Sequence, residues 1–178
     1  MNGKVEDVTD LVRADGTIKP LQPTFEFMKP RLSRWIALGA GSGLSSTAPG
    51  TVGTIFAWLS FALLHAVIGD NGMLMLCAIG LPIGVWAVGR TGRDLGVTDH
   101  SAIVWDEIVA FWLVLLLVPA AFITQLVAFL LFRAFDILKP PPIRQVDRWW
   151  KTPLGVMVDD LLAAAYTVLV IAFWQRLT

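Results

Sequence analysis

Five carboxylates fall at three places along the chain, Asp106 with Glu107, then Asp136, then Asp159 with Asp160, each at the border of an apolar run. Between residues 108 and 132, 25 consecutive positions carry no charge, and Arg133 and Asp136 close the run that Asp106 and Glu107 open. Ionisable groups at membrane depth cost roughly 2.5–3.5 kcal/mol each on insertion scales, so they are expected to face a protein interior or a polar cavity and to serve a function there. Oxygen ligands drawn from several helices suit Mg²⁺, with Mn²⁺ as the alternative ion, because these hard cations keep waters and favour carboxylate and phosphate partners. The pattern therefore predicts a metal site built from Asp106, Glu107, Asp136, Asp159 and Asp160. A plainer account exists for four of them, since acids in the first turn of a helix complement its dipole and cap free N–H groups. That account does not cover Asp136, expected at a helix C-terminus, although Arg133 three residues earlier could pair with it.

The elements that must carry these residues follow from composition. The 178 residues are 56% hydrophobic and only 16% charged, with mean hydropathy +0.67. Globular chains carry about 25% charged residues, so this one is placed among polytopic membrane proteins. Zero net charge argues against a nucleic-acid partner. Residues 1–30 read as a polar, partly disordered N-terminal tail and residues 31–178 as the membrane-embedded domain. No apolar segment suited to a cleavable signal follows Met1. Lys29, Arg31, Arg34 and Trp35 suit the headgroup layer, and residues 31–40 predict a short interfacial helix. Residues 39–54 then crowd five glycines with Ser, Thr and Pro49, a composition that serves a re-entrant connecting loop or a cradle of backbone amides around an anion.

The fold expected is all-α, a polytopic helical bundle of about five membrane-embedded helices behind that re-entrant or interfacial segment. Candidate spans cover residues 52–68, 73–88, two legs on either side of Pro119, and 156–174. The break at Pro119 is the decisive expectation. One continuous helix would separate Asp106 from Asp136 by about 45 Å, whereas a hairpin returns both to the same face. It also gathers Lys29, Arg31, Arg34, Arg90, Arg93, Lys139, Arg144, Arg148 and Lys151 on one side, leaving Arg176 opposite, as the positive-inside rule requires of a cytoplasmic face.

Four motifs in order, GSGLSSTAPGTVGT, DHSAIVWDE, FRAFDILKPPPIRQVDR and GVMVDD, resemble the series that marks the bacterial phosphatidylglycerophosphatase A family, over about residues 38–173. The resemblance implies a Mg²⁺-dependent phosphatase of the bacterial inner membrane, multi-pass, with its active site facing the cytoplasm. Its anionic phospholipid substrate would be phosphatidylglycerophosphate, converted to phosphatidylglycerol and inorganic phosphate in phospholipid biosynthesis. Carried onto this chain, the acidic positions are Asp99, Asp106, Glu107, Asp136, Asp159 and Asp160, and the basic ones Arg133, Lys139 and Arg144. Ser42, Gly43 and Thr51 of the glycine-rich segment are expected to bind phosphate with Arg133, Lys139 and Arg144, and His100 to serve as a proton donor. The rival reading is a small transporter or channel subunit whose carboxylates bind a coupling cation near the bilayer midplane. The sequence leaves the oligomeric state open.

Overall fold

Proline at the first helical position needs no N–H partner there and has its φ already set, so the apolar stretch from Pro49 onward starts a helix readily. A computed structural model describes residues 22–177; most of the polar tail expected over residues 1–30 lies outside the described residues. In chain order the elements are α1 (Phe25–Met28), α2 (Leu32–Ala37), a 3-10 segment (Gly39–Leu44), α3 (Pro49–Leu95), α4 (Trp105–Leu117), α5 (Phe122–Leu138), α6 (Ile143–Trp149) and α7 (Pro153–Leu177). No strand occurs among the described residues, in keeping with the all-α expectation.

Helix α3 is two arms joined at Gly69, whose φ of 64° and ψ of −173° are open to glycine and to almost nothing else. The direction of each arm follows from its contacts with α4. Trp112 Nε1 donates to the Ala57 carbonyl at 3.0 Å, and Gly53 lies against Val104, so the first arm rises alongside α4. Trp105 Nε1 donates to the Gly80 carbonyl at 2.9 Å, Gly80 faces Val109 and Gly84 faces Trp105, so the second arm runs the other way. Helices embedded in lipid gain little from hydrophobic burial against one another and rely on close packing over small residues. Gly50, Gly53 and Ala57 on one arm and Gly80, Gly84 and Ala87 on the other supply such faces, and all six are buried.

The break expected at Pro119 is present. Backbone leaves the helical region at Val118 (φ −108°, ψ 153°) and re-enters after Ala121 (φ −75°, ψ 132°). Trp58 then ties the turn to α3 by donating to Gln125 Oε1 at 2.8 Å and stacking on Phe122. Phe111 and Phe132 pack with ring centroids 5.4 Å apart, and both are fully buried. The outcome is that α4 begins and α5 ends at the same end of the bundle.

By length and composition two helices, α3 and α7, are long and apolar enough to cross a membrane. At 13 and 17 residues, α4 and α5 fall short of the roughly 20 that a 30 Å hydrocarbon layer asks of a perpendicular helix. Within residues 31–40, where a short helix is expected, α2 is present, clamped onto the end of α3 by Asp94. That carboxylate accepts from Arg31 Nη1 at 2.9 Å and Arg34 Nε at 3.0 Å.

Candidate active site

Four helix ends and one loop converge on a cavity of about 240 Å³. The start of α3 contributes Ala48, Pro49 and Gly50; the loop before α4 contributes Asp99, His100, Ser101 and Ile103. Asp106 and Glu107 enter from the first turn of α4, Arg133, Asp136 and Lys139 from the end of α5, and Val156, Asp159 and Asp160 from the start of α7. All five acids singled out as metal ligands therefore share one wall, together with His100, Arg133 and Lys139. The cavity lies at the helix ends, away from the middle of the bundle where a coupling-ion site would be expected.

Two cations organise part of the acidic set. Arg133 Nη1 donates to Glu107 Oε1 and to Asp136 Oδ2, each at 2.7 Å, with all three side chains near 13% exposed. This joins the helix-turn neighbour anticipated from sequence to a residue 26 positions away. Lys139 Nζ donates to Asp159 Oδ2 at 2.6 Å and to Asp147 Oδ1 at 2.8 Å. Burial pushes the Lys139 ammonium toward deprotonation, but its bonds to Asp147 and Asp159 outweigh that and hold it above the usual lysine range. Asp147 is the converse case: partial burial raises its pKa, and the hydrogen bond and charge of Lys139 carry it below the usual carboxylate value.

Three oxygens of the acidic set are bare. Asp106 Oδ1, Glu107 Oε2 and Asp160 Oδ2 are buried without a hydrogen-bond partner, and their residues all line the cavity. Six carboxylates on the wall, Asp99, Asp106, Glu107, Asp136, Asp159 and Asp160, face two cations, Arg133 and Lys139, an excess of four formal negative charges when all are ionised. Two unit charges 4 Å apart interact by about 4 kcal/mol at an effective dielectric of 20, so an anionic ester is repelled by this wall unless protons or cations offset part of its charge. Divalent cations meet that need, and bare carboxylate oxygens are the donors that Mg²⁺ prefers. Among the described residues no group of three or more His, Cys, Asp or Glu side chains is placed to hold a metal ion as it stands. The three bare oxygens are donors of the type Mg²⁺ takes.

Gly50 makes the close approach on which the arginine pair depends. A Cβ there would lie 2.0 Å from Glu107 Oε1 and 2.9 Å from Arg133 Nη2, so only glycine lets the first turn of α3 rest on the ion pair. At His100 the ring is 4% exposed, and Nδ1 accepts the Ala102 N–H at 3.1 Å. The proton of the neutral imidazole then belongs on Nε2, so His100 presents a hydrogen-bond donor. Acting as an imidazolium acid would cost the Ala102 bond.

The glycine-rich segment divides in two. Ser42, Gly43 and Thr51, expected to bind phosphate, do not line the cavity. Ser42 Oγ donates to the Gly39 carbonyl at 2.9 Å, and the amides of Gly41 and Gly43 both donate to Leu38 O. Gly43 is there for fit, since a Cβ would stand 2.0 Å from the Ala102 carbonyl on the strap that leads into α4. The wall is reached only at residues 48–50, after the turn made by Ala48 in the left-handed region (φ 47°). Arg144 is also absent from the wall; it is exposed, with Nη2 reaching the Leu138 carbonyl at 3.4 Å. Asp147 is the residue that reading the sequence for site chemistry passed over, whereas Gly50 fell within the glycine-rich stretch already expected to reach phosphate. Asp147 follows the three prolines, and its chemistry does not show before its neighbours are known.

The profile of the phosphatidylglycerophosphatase A family matches residues 35–175. The chain belongs to the phosphatidylglycerophosphatase A family. It is similar to the phosphatidylglycerophosphatase A of Haemophilus influenzae, with 42% identity over 144 residues that cover 79% of this chain and 88% of that one. The phosphatidylglycerophosphatase A of Escherichia coli is 36% identical over 139 residues, covering 78% and 80%. A Bacteroides thetaiotaomicron protein provisionally named as a phosphatidylinositol-3-phosphatase is 36% identical over 144 residues, covering 77% and 89%. No solved structure matches. Membership makes the chain a phosphatase that acts on a phosphate monoester.

Proposed function

We propose that this phosphatase hydrolyses phosphatidylglycerophosphate to phosphatidylglycerol and inorganic phosphate, as a step of phospholipid biosynthesis. The names of the two phosphatidylglycerophosphatase A relatives support that substrate. The observation that carries a metal-dependent mechanism is the strongly acidic wall with three bare carboxylate oxygens, on Asp106, Glu107 and Asp160. These residues would hold Mg²⁺, or Mn²⁺ in its place, with Asp136 and Asp159 assisting. When bound, the ion supplies Lewis-acid polarisation of the phosphoryl oxygens and offsets the charge of the wall.

The chain's own groups do the rest. Arg133, fixed by Glu107 and Asp136 and braced by Gly50, offers its guanidinium to the phosphoryl group. Lys139 offers an ammonium from the same end of α5, and His100 lines the same cavity. In the net reaction the terminal P–O ester bond breaks, water gives its oxygen to phosphorus, and a proton ends on the glycerol oxygen of the product.

We further propose five membrane-embedded helices, the two arms of α3 with α4, α5 and α7, in the bacterial inner membrane with the cavity at the cytoplasmic surface. The apolar character of α3 and α7 supports the membrane assignment. Exposed Arg90, Arg93, Arg144, Arg148 and Lys151 at the cavity end support the orientation.

The test is direct. Purified protein in detergent should release inorganic phosphate from phosphatidylglycerophosphate, lose that activity in EDTA and regain it with Mg²⁺. Absence of release with either Mg²⁺ or Mn²⁺ present would overturn the substrate assignment, and full activity in EDTA would overturn the metal.

A further inference from the structure

Lys139 is held from two directions. Its partner on the cavity wall is Asp159, at 2.6 Å, while Asp147, at 2.8 Å, lies on α6 outside the cavity lining. Lys139 itself caps α5 in the left-handed region (φ 44°, ψ 64°), a conformation non-glycine residues take up rarely and at a cost, so its placement is imposed by the surrounding structure. Several features fasten α6 where Asp147 can reach it. Three prolines follow Lys139, the Pro141 carbonyl accepts from Tyr166 Oη of α7 at 2.8 Å, and Ile143 is fully buried. An ammonium has three donors. Two are committed to Asp147 and Asp159, which leaves one for a substrate oxygen.

We propose that Asp147 is a positioning residue for the phosphatase reaction, acting through Lys139. It shares the hold on the ammonium with Asp159 and so keeps the third N–H turned toward a phosphoryl oxygen. The inference rests on the assignment of the phosphate to this cavity. With Asp147 removed, Asp159 becomes the one carboxylate holding Lys139, and the cation is drawn onto the wall instead of toward the substrate. Lys151, at 3.4 Å from the same Asp147 oxygen and 58% exposed, is a longer and more solvated partner of Asp147 than Lys139 is.

A double-mutant cycle tests this with phosphatidylglycerophosphate as the probe. Asp147→Asn should lower kcat/KM by about 10- to 100-fold, and Asp147→Glu should stay within about threefold of the parent. Lys139→Met should lower kcat/KM at least as far, and adding Asp147→Asn to it should cost less than about threefold more, because the residue through which Asp147 acts is gone. A loss on the Lys139→Met background equal to that on the parent would overturn the proposal, as would an Asp147→Asn enzyme within twofold of the parent. Should Asp147→Asn fail to accumulate, Asp147→Glu decides alone, since a drop beyond about tenfold would contradict a role that needs only a carboxylate on the ammonium. Failure of the underlying reading looks different: the unsubstituted protein would then release no phosphate.

Discussion

The two sides of the cavity use the same chemical group in opposite ways. On the side formed by the starts of α4 and α7, Asp106 Oδ1 and Asp160 Oδ2 are buried and bare. On the side formed by the end of α5, with α6 behind it outside the cavity, Asp136 and Asp147 each accept a 2.7–2.8 Å bond from a cation, Arg133 or Lys139. Glu107 and Asp159 stand between the two. Glu107 gives Oε1 to Arg133 and keeps Oε2 bare, and Asp159 gives Oδ2 to Lys139. A bare buried carboxylate is costly when ionised and is relieved by a cation or by a proton; a paired one orients the cation that holds it. The difference separates a surface made to receive positive charge from a surface made to present it.

The comparison is broken most severely from the bare side. Asp106→Asn and Asp160→Asn, tested one at a time by phosphate release from phosphatidylglycerophosphate, should each lose about 10³-fold or more in kcat while the protein still inserts. Rates within tenfold of the parent would show that the bare oxygens hold nothing the reaction needs. On the paired side, Arg133→Lys keeps a charge but loses the longer guanidinium and its further donors for the phosphoryl group, and about a 10²-fold loss is expected. Arg133→Met leaves both acids uncompensated and should in addition destabilise the protein by about 3–5 kcal/mol, read as a lower Tm in detergent.

Gly50→Ala sharpens the boundary between the two sides, because the added methyl must displace Glu107 or Arg133. A loss of about 10- to 100-fold is expected, and a kcat/KM equal to the parent's would mean that the pair can shift without consequence. Ser42→Ala and Arg144→Ala touch neither side and should leave kcat/KM within about threefold; a larger loss from either would extend the phosphate site beyond the cavity wall.

The smallest effect is on stability against pH. The folded pKa of Asp147 lies below its unfolded value, so its contribution is fully present above about pH 4, the unfolded carboxylate range, and is lost as pH falls through the folded pKa. Melts between pH 5 and pH 3 should show a steeper fall for the parent than for Asp147→Asn, and identical slopes would remove Lys139 as its partner.

Much of this was legible along the chain. The uncharged run from 108 to 132 and Pro119 within it were enough to place a helical hairpin, because a proline lacks the N–H that a continuing helix would use. The acids were legible because a charge beside so long an apolar run is costly to keep unless it is paired or serves a site. The glycine-rich segment misled in part. Gly41 and Gly43 look like an anion cradle, and their amides instead close a turn on Leu38. Composition cannot tell a glycine that clears space for the Ala102 carbonyl from one that clears space for phosphate. Asp147 was invisible for a similar reason, since one acid among the basic residues of α6 reads as solvated.

What the sequence determined by itself was the class of the protein, the all-α character, the reversal at Pro119 and which carboxylates border the apolar runs. Local rules decide all of these, through backbone chemistry and the cost of charge in an apolar setting. Only the tertiary structure decided which acids are paired and which are bare, that Gly50 supports Arg133, and that Lys139 is shared between Asp159 and Asp147. Those facts depend on distances of a few ångströms between side chains on different helices, and such distances are set by how whole helices pack, which no local pattern encodes.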